Sequence, residues 1–136
     1  MRVLVDTCIW SRSLRRASGS HPDTVKELRR LILEHRVEII GPIRQELLSG
    51  IREEAHFERL KQHLEPFPDI PLETADHTTA AWFFNTCRRE GIQGSNTDFL
   101  ICSVAVRRSM AVYTHDRDFL LFTEHIPVIL HEPHLS

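Results

Sequence analysis

Asp6, Glu46, Asp98 and Asp116 are the residues whose type and placement could do chemistry in this chain. Asp6 ends the apolar run Val3-Leu4-Val5, Asp98 opens the apolar run from Phe99 to Val106, and Asp116 follows the short run from Ala111 to Thr114. Glu46 lies between Gln45 and the pair Leu47-Leu48. Carboxylates at strand ends and helix starts converge on one edge of a parallel sheet. Gathered there, they are the oxygen ligands that hard divalent cations take. Each has a plainer alternative. Asp6 and Asp98 could cap the helices that follow them. Glu46 could face water from a helix surface. Asp116, in Thr114-His115-Asp116-Arg117-Asp118-Phe119, could serve a turn.

The elements that would carry these acids alternate along the chain. Arg2–Val5 reads as a buried strand and Thr7–Arg15 as a short helix. Ala17–Pro22 reads as a loop, and Asp23–His35 as a helix that Ser20 or Asp23 could cap. Val37–Ile40 is a predicted strand ended by Gly41-Pro42. Helices follow over Ile43–Ile51 and Glu54–Leu64. Pro66, Pro68 and Pro71 limit Glu65–Leu72 to a connection with at most a short edge strand. Glu73–Glu90 reads as a long helix with Ala75, Thr79, Trp82, Phe83 and Thr86 on one side. Beyond the loop Gly91–Thr97 come a helix over Asp98–Arg108, a strand over Ala111–Thr114, a short helix over Arg117–Phe122 and a last strand over Val128–Leu130. Strands alternating with helices predict an α/β fold built on a central parallel sheet. At 136 residues, with no linker or repeat, the expectation is one domain over residues 1–136.

Composition narrows the function. A net charge of −2 does not mark a nucleic-acid binder by bulk charge. The basic residues are nearly all arginine, since only Lys26 and Lys61 are lysines, and arginine suits bidentate phosphate contact. Arg12, Arg15, Arg16, Arg88 and Arg89 are the candidate phosphate contacts; solvated helix faces are the alternative. Trp10 could stack on a base, although an Ile9-Trp10 pair also suits a core. The nine histidines show no zinc-site spacing. Cys8, Cys87 and Cys102 lack CxxC spacing and read as reduced core thiols, as in a cytoplasmic protein. No apolar stretch approaches a membrane span, and no signal-peptide pattern opens the chain.

Four strings in order carry a resemblance. They are Val3-Leu4-Val5-Asp6-Thr7, Glu46-Leu47-Leu48-Ser49-Gly50, Asp98 through Ala105, and Tyr113 through Phe119. With the long helix and Arg89-Glu90-Gly91 before the third acid, the pattern resembles the PIN-domain family and, within it, the VapC-type ribonuclease toxins. The resemblance spans about Val3 to Phe119. It implies a parallel sheet of about five strands flanked by helices. It also implies an acidic pocket that binds Mg²⁺ or Mn²⁺ and cleaves RNA. Asp6, Glu46, Asp98 and Asp116 become the catalytic, metal-site acids, with Thr7 and Thr114 as supporting hydroxyls. Asp118, a second acid beside Asp116, could share the fourth role. The expected partners are an RNA substrate, a cognate antitoxin protein and a second copy in a homodimer.

Two other classes stay open. One is a PIN-type nuclease of RNA processing or DNA flaps, without an antitoxin. The other is a non-nuclease α/β phosphoacceptor module. A receiver of that kind wants a second acid beside Asp6 and a lysine late in the chain. Here Val5 and Thr7 flank Asp6, and both lysines precede residue 62. Cys8 stands where the second acid of an Asp-x-Asp phosphatase signature would be.

Overall fold

The computed structural model describes residues 1–14 and 21–133. Its centre is β1 (Val3–Val5), whose three side chains are wholly shielded from solvent. A strand buried on both faces reads as a continuous apolar run, and parallel sheets are built from such strands. β1 pairs in parallel with β2 (Val37–Glu38), placing Val3 opposite Val37. On its other side it pairs in parallel with β3 (Ala111–Tyr113), placing Val5 opposite Tyr113.

Among the described residues the sheet has three strands, in the order β2-β1-β3, rather than about five. The last strand expected over Val128–Leu130 shrinks to a single parallel bridge, Val112 with Leu130, and Glu65–Leu72, expected as a connection with at most a short edge strand, supplies one more, Ile39 with Asp69. Proline explains both. Pro127 and Pro133 bracket the first bridge and Pro68 and Pro71 flank the second, each removing a ladder donor. What remains is one bond from Ile70 N to Ile39 O at 3.0 Å, and bonds that link Val112 to Ile129 and His131.

Helices cover the sheet. α1 (Thr7–Leu14) leaves the end of β1, and α2 (Pro22–Leu33) leads into β2. α2 starts behind His21, with Pro22 in its first turn, so Asp23 lies inside the helix rather than at its cap. α3 (Gly41–Leu48) begins two residues before the expected Ile43, because Pro42 fits the first turn of a helix and needs no donor there. α4 (Glu54–Leu64) matches its expected span. α5 (Thr74–Arg89) and α6 (Asn96–Arg107) form an antiparallel hairpin, and α7 (Asp118–Phe122) follows β3.

The buried face of α5 is turned from the expected one. Asp76, Ala80, Phe83 and Cys87 point inward, while Trp82 is 65% exposed. Hydrophobicity alone puts no acid inward. Asp76 is nevertheless wholly buried, because Arg107 and Arg108 reach it at 2.6 and 2.7 Å and Glu73 N donates to it at 2.8 Å. Burying that clamp rotates the helix and carries Trp82 out. Trp10 takes the core alternative: it is buried, donates its indole N–H to Val5 O at 3.1 Å, and packs edge-on against Phe67. Cys8, Cys87 and Cys102 are free thiols, and Cys8 is only half-buried.

Candidate metal centre

The strand order fixes where a site can form. The chain runs from β1 out to β2 on one side, then crosses to β3 on the other. That reversal makes the β1/β3 gap a topological switch point, and open α/β sheets bind ligands outside the strand carboxyl ends there. β1 ends in Asp6. β3 ends in Tyr113 and is followed by Thr114, His115 and Asp116. Asp6 N donates to Tyr113 O at 2.9 Å, which holds the two ends together.

Asp6 is 8% exposed. One carboxylate oxygen accepts from Thr7 N at 2.8 Å; the other accepts from the Thr114 hydroxyl at 2.7 Å. Burial raises its pKa against the pull of these bonds, and the Asp98 charge raises it further. The Thr114 hydroxyl in turn accepts from Asp116 N at 3.0 Å. One hydroxyl therefore ties the acid after β1 to the loop after β3. Cys8 sits in the same knot, 3.7 Å from Asp6 Oδ2 and 3.6 Å from Thr114 Oγ1. Burial pushes its thiol pKa up.

Asp98 arrives by a different route. Its helix starts two residues earlier than expected, at Asn96, with Ser95 as the N-cap. Asp98 is thus the third helical residue. It forms a reciprocal capping box, its own N–H donating to Ser95 Oγ and its carboxylate accepting from Ser95 N, both at 3.0 Å. It caps and remains available. It is half-buried, and burial first, then the charges of Asp116 and Asp118, raise its pKa. Gly94 makes this placement possible, because a Cβ there would lie 2.6 Å from Phe122 and 3.0 Å from Phe99. Gly91, at φ +76°, ends the preceding helix in the left-handed region that suits glycine. Gly94 and Ser95 are positioning residues that the acid-centred sequence reading passed over; Ser95 three residues before an acid was the available signal.

Asp116 and Asp118 both stay exposed, and Asp118 N donates to Asp116 Oδ1 at 2.9 Å. Asp116 therefore makes the turn proposed as its alternative role, while its charge still reaches Asp98. Glu46 projects from the exposed side of α3 and accepts from the Thr7 hydroxyl at 2.9 Å. Through Thr7 it adjoins Asp6. Arg12 contacts His115 Nδ1, which puts a cation beside the acidic loop. Arg88 and Arg89 sit at the end of α5 over the rings of Phe84 and Trp82. Arg15 and Arg16 lie outside the described residues.

Among the described residues, no three Asp, Glu, His or Cys side chains close into a ready coordination shell. The donor chemistry still fits a hard cation. Mg²⁺ keeps several waters and needs only one or two direct carboxylates. Burial raises the pKa of both Asp6 and Asp98, the Asp98 charge adds to the rise at Asp6, and a cation beside them would offset that gathered negative charge.

Comparison with known proteins agrees with this frame. The PIN domain family model matches residues 3–123, and the chain belongs to that family. Solved structures share the fold across nearly the whole chain. FitAcB from Neisseria gonorrhoeae is 24% identical, with a TM-score of 0.79 over 98% of this chain and 99% of that one. VapBC2 from Rickettsia felis, bound to a DNA fragment from their promoter, is 16% identical, with a TM-score of 0.78 over 96% and 98%. DNA-bound VapBC from Salmonella typhimurium is 21% identical, with a TM-score of 0.68 over 97% of each chain. No curated protein matches the chain in sequence. No helix among the described residues is long and apolar enough to cross a membrane.

Proposed function

We propose that this PIN-domain chain is a metal-dependent endoribonuclease, acting in the cytoplasm as the toxin of a type II toxin–antitoxin pair. The observation that carries the reading is the cluster at the switch point. Asp6, Asp98, Asp116 and Asp118 lie near enough for the charges of Asp98, Asp116 and Asp118 to raise carboxylate pKa values there. Asp98 also caps α6 and Asp116 makes a turn, but their mutual repulsion costs the fold free energy that a positively charged ligand would offset.

Asp6, Asp98 and Asp116 would hold Mg²⁺ or Mn²⁺, with Glu46 at the rim through Thr7 and Asp118 beside Asp116. When bound, the ion would lower the pKa of water and offset charge building on the phosphate. The chain's own residues supply the order. Thr7 N and the Thr114 hydroxyl fix both oxygens of Asp6, so the carboxylate cannot rotate. The Ser95 box fixes Asp98 at the first turn of α6, where the helix N-terminus also favours negative charge. Arg12 stands on the near side, and Arg88 and Arg89 on the α5 side, as contacts for the RNA backbone.

The toxin assignment draws on the VapC-type sequence resemblance and on the VapBC assemblies among the structural neighbours. An antitoxin that silences this site would place Arg or Lys among the carboxylates in the cation's stead. Purified protein incubated with total cellular RNA should give new 5′ ends with Mg²⁺ or Mn²⁺ and none with chelator. Growth arrest on expression should be relieved by the product of an adjoining small gene. Absence of toxicity under strong expression of folded protein in the native host would refute the toxin assignment.

A further inference from the structure

We infer that Arg12 and His115 together grip the RNA phosphate next to the scissile one, which makes His115 a substrate contact of the acidic centre. The inference rests on the nuclease reading and deepens it. His115 stands between Thr114, whose hydroxyl donates to Asp6, and Asp116. Three contacts fix it there. Its backbone N–H donates to Cys8 Sγ at 3.4 Å, its ring meets the buried Tyr113 ring edge-on at 5.9 Å, and Arg12, in the last turn of α1, contacts its Nδ1. A guanidinium can only donate, so Nδ1 accepts and the ring carries its proton on Nε2. That N–H has no partner among the described residues.

Charge points to the ligand. Basic groups gather on this one rim of the acids: burial first, then the charges of Arg12 and His21, lower the His115 pKa. The Arg12 charge also reaches Cys8, whose Sγ lies 3.7 Å from Asp6 Oδ2. Water satisfies an exposed N–H, but it does not account for the pairing of Arg12. Asp116 is one residue beyond His115, yet Arg12 takes the ring nitrogen and, among the described residues, no carboxylate. A cation kept off the acids, beside a donor held in place, suits an anion that arrives with the metal. A backbone phosphate is that anion, and guanidinium with a neutral N–H donor is chemistry that holds it. An acidic peptide is the competing occupant. Its carboxylate would meet Asp6 and Asp116 with no metal to offset them, so the phosphate is favoured.

The test compares wild type, Arg12→Ala, His115→Asn and His115→Gln on one single-stranded RNA and on a set in which each phosphate in turn is an uncharged methylphosphonate. Circular dichroism melts confirm that each variant is folded. Anisotropy of the same labelled RNAs with Mn²⁺ is a second readout that needs no cleavage. Neutralising the phosphate beside the cut should lower wild-type kcat/KM about tenfold, mainly through KM, and should cost Arg12→Ala nothing further. Arg12→Ala should also reduce the salt dependence of binding by about one ion. His115→Gln keeps an N–H near the place of Nε2 and should keep most of the effect, whereas His115→Asn keeps only the place of Nδ1 and should lose it. Equal losses in wild type and all variants at every phosphate would overturn the inference and leave the nuclease standing. An effect kept by His115→Asn and lost by His115→Gln would make His115 a support for Arg12 and overturn its contact with substrate. The same coupling in anisotropy, in a wild type that cuts no RNA, would uphold the grip and overturn the nuclease, and RNA neither bound nor cut would overturn both. No coupling to any phosphate, with weaker binding of the neighbouring gene's product by the variants, would assign the pair to a protein partner and overturn the inference.

Discussion

Thr114→Val should destabilise the protein by about 2–4 kcal/mol at pH 7 to 8, and the loss should shrink in acid. The Thr114 hydroxyl donates to Asp6 Oδ2 at 2.7 Å, and a hydrogen bond to a charged group contributes about 1.5–3 kcal/mol. Valine keeps the shape but leaves that oxygen, in a residue only 8% exposed, with the weak Cys8 thiol at 3.7 Å. It also removes the acceptor for Asp116 N; water replaces that bond in part, so its loss adds about 1 kcal/mol at most. The pH dependence follows from the charge. Burial holds the folded pKa of Asp6 above its ordinary 3.8, and the Thr114 bond pulls it back down. Losing the bond raises it further. A carboxylate with a raised folded pKa binds its proton more tightly folded than unfolded, so both proteins gain stability from Asp6 as pH falls through that range. The variant gains more. The gap is therefore widest above both folded pKa values and closes once Asp6 is protonated in each protein. Urea unfolding in chelator at several pH values from 8 down to 4 measures it, and Thr114→Ser should restore wild-type behaviour. A gap that is constant with pH, or no gap, would refute the placement of this hydroxyl on a charged, buried Asp6.

Three further outcomes follow from the same geometry. Asp98→Asn keeps an oxygen for Ser95 N but removes a repelling charge. In chelator it should be as stable as wild type or more so, while saturating Mg²⁺ or Mn²⁺ should stabilise wild type by about 2–4 kcal/mol at 100–1,000 times Kd and the variant by less; equal thermal shifts would reject Asp98 as a ligand. Gly94→Ala forces a Cβ to 2.6 Å from buried Phe122, so urea melts should show a loss of about 1–3 kcal/mol and a smaller metal response as the Ser95 cap shifts. Asp76→Asn breaks a buried acid from two arginines that retain some contact with water, and should cost about 2–4 kcal/mol at neutral pH. Hydrogen bonding from Arg108 holds the Asp76 pKa far below its ordinary value. Its stabilisation is therefore present above the unfolded pKa and drains away as wild type is acidified below about pH 4, a loss that the variant should lack in urea melts run across that range.

The sequence makes the placement of the candidate acids Asp6 and Asp98 legible because their positions follow from local rules. Val3-Leu4-Val5 is rich in β-branched residues and reads as a buried strand, and an acid directly after such a strand emerges at the sheet edge. Phe99 to Val106 reads as a buried helix, which puts Asp98 in its first turn, although the start at Asn96 was not legible. Relations set by tertiary contact are less legible. Arg107 and Arg108 lie about thirty residues from Asp76, and no periodicity reveals that they draw an acid inward and turn Trp82 outward. The last strand fails because proline lets a bridge form but no ladder, and a run such as Val128–Leu130 shows β propensity without showing whether donors remain. Glu46 depends on the Thr7 hydroxyl reaching across from α1, a contact between elements that no local pattern encodes.

The central claim is that these acids act as one metal-dependent centre for RNA cleavage. Its most direct measurement is the rate of cleavage of total cellular RNA, read as new 5′ ends, by wild type, Asp6→Asn and Asp98→Asn, with Mg²⁺ or Mn²⁺ and with chelator. The account predicts cleavage by wild type with metal only. Each single variant, folded, should have lost it, and a variant carrying both Asp6→Asn and Asp98→Asn, measured beside them, should be no worse than either, because groups acting as a unit are not additive. Cleavage by either variant at near the wild-type rate, or by wild type in chelator, would contradict it.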